Sequence, residues 1–329
     1  MSDTMVPAEV IKDAVTLACR APSLHNSQPW RWVADDRGLH LFVDPNRVMY
    51  SADRRGREAI ISCGAMLDHF RVAMRAAGWR THVKRFPDPT DRHLVASVDF
   101  IPADTVTDAV RRRADAILLR RTDRLPLAAP PDWESLESVL RMALDNGVAH
   151  LDAIRDADVP QLAEASQLTD ALRLYDAAYH NELHWWTAPF EEREGIPHSS
   201  LVSAAETERV GVGRTFPVVP HAERRPGIGE DLSKVVVLST DGDTREDALG
   251  SGEMLSRLLL ECTTAGMATC TITHLTEMAA SRHIVATLLD RTGFPQVLVR
   301  VGVAPSMEQV PPATPRRPLA DVLEFRPAG

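Results

Sequence analysis

Residues 21–30 read APSLHNSQPW, and within them Pro22, Ser23, His25, Asn26, Gln28 and Pro29 crowd short polar side chains onto stiff backbone. A turn needs only a glycine or a proline, so this stretch holds more hydrogen-bonding capacity than turning the chain requires. Arginine is concentrated in RRTDR at 120–124 and in PRRP at 315–318. Its planar fork suits paired, charge-assisted hydrogen bonds to an anion, although RRTDR alone reads equally well as a solvated helix-capping turn. Other patterns are weaker. His180 and His184 in HNELH lie one helical turn apart, but the text is not HExxH and no third ligand is evident, so no metal is expected. GVGRTF at 211–216 lacks the remaining glycines and the preceding strand of a dinucleotide fingerprint, and DGDTRED lacks EF-hand spacing. Cys19, Cys63, Cys262 and Cys270 form no CxxC pair and sit in apolar text, as buried free thiols do.

The elements that must position these residues follow from periodicity. The chain has 329 residues, 44% hydrophobic and 25% charged, with a net charge of −9, which is globular composition without an overall basic footprint for nucleic acid. No stretch approaches the roughly 18 apolar residues of a membrane span, and the N-terminus has no signal-peptide core. A cytoplasmic protein is expected. A helix is predicted over 8–20, strands at RWVAD and LHLFVD around a DDRG turn, a long helix over about 56–78 stopped by Gly78, and a strand at HLVASVDFIP. The order then recurs: a helix at PDWESLESVLRMALDNG, a strand at SKVVVLSTDGD, a helix at GSGEMLSRLLLECTTAG and a strand at FPQVLVRVGVAP.

The recurrence reaches individual letters. Residues 63–81 lie against 251–269 without a gap, matching Gly64 to Gly252, Met66 to Met254, Leu67 to Leu255, Gly78 to Gly266 and Thr81 to Thr269. LVASVDFIP parallels VLVRVGVAP in the same way. An internal duplication is therefore expected, with halves at 1–112 and 113–329 meeting near 110–115, at a spacing too long for a solenoid. The stretch at about 170–228 has no counterpart. Its rings, among them Tyr175, Tyr179, Trp185, Trp186 and Phe190, argue against plain disorder.

APSLHNSQPW, the helix ending in Gly-Met-Ala-Thr and the closing PRRPLADVL together resemble the FMN-dependent nitroreductase family, and more closely its Acg-like branch, over nearly the whole chain. The resemblance implies an α+β, nitroreductase-like fold. Ordinary family members are homodimers with FMN at the subunit interface, one subunit supplying the RR[ST] motif, the loop after the Gly-terminated helix and C-terminal basic residues, the other supplying the APSxxN loop. Here RRTDR occurs only in the second half and APSLHN only in the first. The complementary losses imply one complete FMN site per chain, formed between the two halves of a monomer.

By that resemblance Arg120, Arg121, Thr122, Arg124, Arg316 and Arg317 are candidates for the flavin phosphate, which carries roughly two charges near neutral pH. Ser23, Asn26 and Gln28 suit polar contacts to the cofactor, with His25 beside them, while Pro22, Pro29 and Trp30 stiffen the loop. Thr273, His274 and Leu275 are placed along the ring near N5, although the Pro-x-Glu-Gly-like text common there is missing. Each has a structural alternative: turn capping for Ser23 and Asn26, core packing for His25, Gln28 and Trp30, and a plain strand-to-helix connection for 273–275. The flavin carries the chemistry, so no catalytic side chain is named. The implied activity is NAD(P)H-dependent reduction of a small aromatic nitro or quinone-type acceptor, the competitor a flavin-sequestering protein. The aromatic insertion is expected either to cover the flavin as a lid or to cover the lost second site.

Overall fold

The computed structural model describes residues 6–144, 147–187, 194–217, 223–307 and 312–326. The first half of the chain runs through α1 (Ala8–Ala18), β1 (Trp30–Asp35), β2 (Gly38–Val43), α2 (Arg57–Ala76), β3 (Trp79–Arg85), β4 (Leu94–Pro102) and α3 (Asp108–Leu119). It continues through α4 (Trp133–Leu144), β5 (His150–Ala153), α5 (Val159–Arg173), α6 (Ala177–Trp186), α7 (Ala204–Glu208), β6 (Lys234–Thr240) and α8 (Arg245–Thr264). The last stretch holds β7 (Ala268–Ile272), α9 (His274–Glu277), α10 (Ala279–Thr287), β8 (Phe294–Gly302), α11 (Leu319–Val322) and β9 (Leu323–Phe325).

Two sheets result, in the orders β3-β4-β2-β1-β9 and β5-β6-β8-β7. All pairs are antiparallel except β1 with β9, where the C-terminal tail returns to the edge of the first sheet. Read from the strand after each long helix, the orders are β3-β4-β2-β1 and β7-β8-β6-β5. β1 and β2 are joined by a tight turn, whereas residues 154–233 separate β5 from β6, a longer excursion than the 170–228 expected. The expected division at 112/113 falls inside α3, which Thr107 caps and which packs on both α2 and α8.

The two long helices meet at glycines. A Cβ on Gly64 would lie 2.1 Å from the Leu249 carbonyl oxygen, and one on Gly252 would lie 2.0 Å from that of Ile61, so only glycine lets the backbones touch. Each helix ends where Gly78 (φ +87°) or Gly266 (φ +76°) takes the left-handed conformation that stops it. The main apolar cluster runs unbroken from Trp30, Trp32 and Phe70 to Leu255, Val236 and Val299, so both sheets share one core. β6 is buried on both faces: Val236 and Leu238 face that cluster, while Val235 and Val237 face a second one with Leu162 and Val285. This explains its continuous apolar text. All four cysteines are buried and free. Among the described residues no helix is long and apolar enough to cross a membrane.

Candidate functional site

The loop after α1 is held in a conformation that most side chains avoid. His25 (φ +47°), Asn26 (φ +58°) and Gln28 (φ +50°) are all left-handed, each at a cost of roughly 1–2 kcal/mol. Such strain persists only where surroundings over-determine it, and it concentrates at functional sites. Here Ser23 Oγ accepts the Gln28 N–H at 3.0 Å. Asn26 Nδ2 donates to the carbonyls of Gly195 at 2.9 Å and Pro315 at 3.1 Å, tying the loop to the excursion and to the C-terminal tail. The Leu24 N–H donates to Ser62 Oγ on α2 at 3.3 Å.

Opposite this loop runs 120–124. Thr122 bridges to Thr269 of β7, and the Asp123 N–H donates to the Thr269 carbonyl at 2.8 Å, which fixes the segment against the second sheet. Arg120, Arg121, Arg124 and Arg316 then converge with Arg20 around one cavity that Ser23, Asn26 and Thr122 also line. Their hydrogen bonds go to backbone carbonyls: Arg20 to Thr314 at 3.0 Å, Arg120 to Arg20 at 3.2 Å, Arg121 to Leu118 at 2.7 Å and Arg316 to Cys19 at 2.6 Å. Among the described residues none of the five forms an ion pair with a carboxylate. Burial, reinforced by repulsion from Arg20 and Arg121, pushes Arg120 down to about 10. Burial and the charges of Arg20 and Arg120 hold Arg316 well below the usual guanidinium range. Arg120 Nε is buried without a hydrogen-bond partner. Uncompensated, partly desolvated positive charge of this kind favours an anion, and charge-assisted bonds to a phosphate would satisfy it.

Pro22, Ser23, Thr122 and Arg124 also line a second, adjoining cavity. Its walls come from His25, Glu58 and Ser62 on one side, from Thr271–His274 at the end of β7 on the other, and from Val202, Val210, Arg214 and Phe216 of the excursion. His25 is buried, and neither ring nitrogen has a partner among the described residues. Burial, with the nearby charges of Arg214 and Arg124, holds it well below the usual histidine range, so the ring is neutral. Phe216 meets it edge-on at 5.8 Å and lies 5.2 Å from the Arg124 guanidinium. His274 Nε2 is hydrogen-bonded to Ser166 Oγ at 2.7 Å while Nδ1 has no partner. Arg214 is ion-paired to Glu277 and donates to Thr273 Oγ1 at 3.2 Å. A slot with apolar walls, unpartnered ring nitrogens and an anion pocket at one end can hold a phosphorylated aromatic molecule.

No protein-family profile matches the chain. A Mycobacterium tuberculosis protein named "Putative NAD(P)H nitroreductase acg" is 60% identical over 326 residues, covering 99% of this chain and 98% of its own length. The chain belongs to the Acg-like nitroreductase family. A second M. tuberculosis protein, named "Putative NAD(P)H nitroreductase MT3217", is 35% identical over 97% of this chain and 92% of its own length. A nitroreductase structure from Anabaena variabilis covers 92% of this chain and 90% of its own at a TM-score of 0.50 and 9% identity, a likeness of fold.

In this Acg-like chain the structure brings together Pro22, Ser23, His25, Asn26, Arg120, Arg121, Thr122, Arg124, Thr273, His274 and Arg316. Four other expected residues lie away from the cavities. Trp30 is fully buried in the main core. Leu275 is buried in the second apolar cluster, because the short α9 turns it inward. Gln28 and Arg317 secure the underside of the loop: the Arg317 N–H donates to Gln28 Oε1 at 2.9 Å, and its guanidinium to the Gln28 and Trp30 carbonyls, each at 3.2 Å. Arg317 is thus a backbone clamp and not part of the arginine cluster. The rings expected in the excursion also divide. Tyr175 and Trp185 are solvent-exposed, Tyr179 and Trp186 pack with Leu24 and Met49 behind the loop, and Phe190 lies outside the described residues. The cavity ring is Phe216, with Arg214 beside it, both in the GVGRTF text set aside as a failed dinucleotide motif. Arg20 and Glu58 were also missed. Arg20 directly precedes APS, and that adjacency was the available signal.

Proposed function

We propose that this chain is an FMN-binding oxidoreductase of the nitroreductase type, with one site per chain, NAD(P)H as donor and a small nitro- or quinone-type aromatic as acceptor. The observation that carries the proposal is the two-part cavity: five arginines without carboxylate partners among the described residues at one end, a slot walled by His25, Phe216 and 271–274 at the other. Arg20, Arg120, Arg121, Arg124 and Arg316 would hold the phosphate, while Ser23, His25 and Thr273 would hold the ring. The flavin, when bound, supplies the hydride and electron chemistry. The chain's own residues bind it, orient it and limit water. Purified protein should be yellow, or become so with FMN, and should bleach anaerobically with NADH or NADPH. A protein that takes up no FMN would overturn the proposal.

One specific observation favours a second reading, in which the flavin is held with little turnover. The wall at 202–216 is fastened across the cavity through Arg214 to Glu277 and Thr273, and the Gly195 carbonyl accepts from Asn26. We read this wall as the lid. Reduction by NAD(P)H should then be slow while dithionite still reduces the flavin, and Phe216→Ala should speed the NAD(P)H reaction several-fold. Rapid reduction of the unmodified protein that is indifferent to Phe216→Ala counts against a lid.

We also propose that the two halves arose by duplication and stand in for a dimer, making the protein a cytoplasmic monomer. The same chain offset relates Ile61 to Leu249, Gly64 to Gly252 and Asp68 to Ser256. Those residues meet reciprocally, Asp68 accepting from Ser256 Oγ at 2.7 Å. Strand pairing supports the same correspondence, though Ile101 then answers to Gly302 rather than to Ala304, two residues from the sequence alignment. An even slip keeps the same face inward. At the mirrored site Arg85, the counterpart of Thr273, makes a forked ion pair with Glu253 at 2.7 and 2.8 Å. We read that pair as standing in place of a second cofactor site.

A further inference from the structure

Glu58, near the start of α2, is the one acidic side chain on the wall of the larger cavity among the described residues. Its two carboxyl oxygens are not equivalent. Oε1 accepts from the Arg57 guanidinium and from the Thr276 hydroxyl at 3.4 Å, while Oε2 has no hydrogen-bond partner among the described residues. Arg57 is shared: it also donates to the Gln296 carbonyl at 2.8 Å, to Gln296 Oε1 at 2.9 Å and to the Thr276 carbonyl at 3.0 Å. The charged and titratable groups that face Glu58 are Asp53 from the preceding loop, Arg57 beside it, Glu277 from α9 and Arg214 from the excursion. Three carboxyl groups are thus buried together, and Glu277 already takes the charges of Arg214 and Arg173. A proton on Oε2 relieves the crowding and leaves Oε1 free to accept.

We infer that Glu58 stands in the cavity as a neutral acid and donates a hydrogen bond from Oε2 to an acceptor atom of the bound flavin. The inference rests on the flavin reading above and adds a residue to it. Burial is the largest influence on this carboxyl and lifts it to about 8, with Asp53 and Glu277 adding to the lift and Arg57 and Arg214 opposing it. Below that pH Oε2 donates. Above it two acceptor atoms face each other, and flavin is held less tightly.

Flavin-free protein is titrated with FMN, following fluorescence quenching, across roughly two pH units either side of the midpoint. Wild-type affinity should fall roughly tenfold with rising pH, the scale of losing one hydrogen bond. Glu58→Gln keeps a donor and cannot ionise, so its affinity should stay near the low-pH wild-type value throughout. A second readout needs no flavin. The infrared band of a protonated carboxyl should disappear from the wild-type protein with a midpoint near 8 and be absent from Glu58→Gln. Should that variant fail to fold, Thr276→Val removes a donor to Oε1 and should move the infrared midpoint upward. Flavin bound with equal affinity at both ends of the range, or no such band, overturns the inference while leaving the flavin reading intact. No flavin bound at any pH overturns both.

Discussion

Arg120 and Arg316 gather charge that no carboxylate among the described residues compensates, and an anion would find its strongest attraction there. Arg120 is buried and Arg316 half-buried, desolvation and neighbouring guanidiniums push both down, and both spend their bonds on backbone carbonyls. Replacing both by Ala should weaken FMN binding at least a hundredfold, since bonds to charged groups contribute roughly 1.5–3 kcal/mol each. Equilibrium titration of flavin-free protein checks it, and flavin content unchanged after gel filtration would place the phosphate elsewhere. Arg317 supplies the contrast. Its bonds clamp Gln28, Trp30 and Asp321, so Arg317→Ala should lower the melting temperature by several degrees and affect FMN affinity less than the double variant does.

The elements are fastened in two different ways. α2 and α8 depend on absent side chains: Gly64→Ala would drive a methyl into the Leu249 carbonyl. We expect a loss of stability at or beyond the top of the roughly 1–3 kcal/mol range for overpacking, measured by denaturant unfolding, whereas Gly78→Ala, with nothing within 4 Å, should show only the strain of its positive φ. The wall at 202–216 depends on charge. Glu206 closes a capping box with Ser203 and takes the Arg224 guanidinium at 3.0 Å. Burial alone would raise its carboxyl, but Arg224 and the backbone N–H groups of Ser203 and Arg224 hold it down at about 2. A carboxyl lowered on folding stabilises above its unfolded value and loses that contribution as pH falls through the folded one. Hydrogen-exchange protection within 203–217, relative to the intrinsic rate at each pH, should therefore fall between about pH 4.5 and pH 2. Glu206→Gln should already exchange fast at neutral pH. Protection that is flat through that window would refute the linkage.

For the whole molecule, the paired long helices and the returning C-terminal strand build one core under two sheets. If the halves stand in for two subunits, light scattering should give a monomer, and bound flavin should reach one per chain. An obligate dimer, or two flavins per chain, would contradict the proposed single site.

Strands β1, β2, β4, β6 and β8 and the long helices were legible in the sequence because apolar periodicity and stopping glycines are local signals, whereas β5, β7 and β9 were not predicted, and the alignment of Gly64 with Gly252 was legible as text. The composition of the loop APSLHNSQPW and the clustering of arginines at 120–124 and 315–318 were legible too, through the family they resemble. β3 went unseen because its residues alternate only between exposed and half-buried, and α3 because it spans the expected division. Tertiary structure alone decided which arginines meet. Arg20 joins Arg120 and Arg316 across nearly 300 residues of chain, while Arg317, next to Arg316, faces the other way along the tail. It also decided that Phe216 and Glu58, rather than Trp185 or Leu275, reach the cavity. Residue type and local spacing determine what a side chain can bind. Its neighbours depend on long-range packing of helices and sheets, which local pattern does not encode.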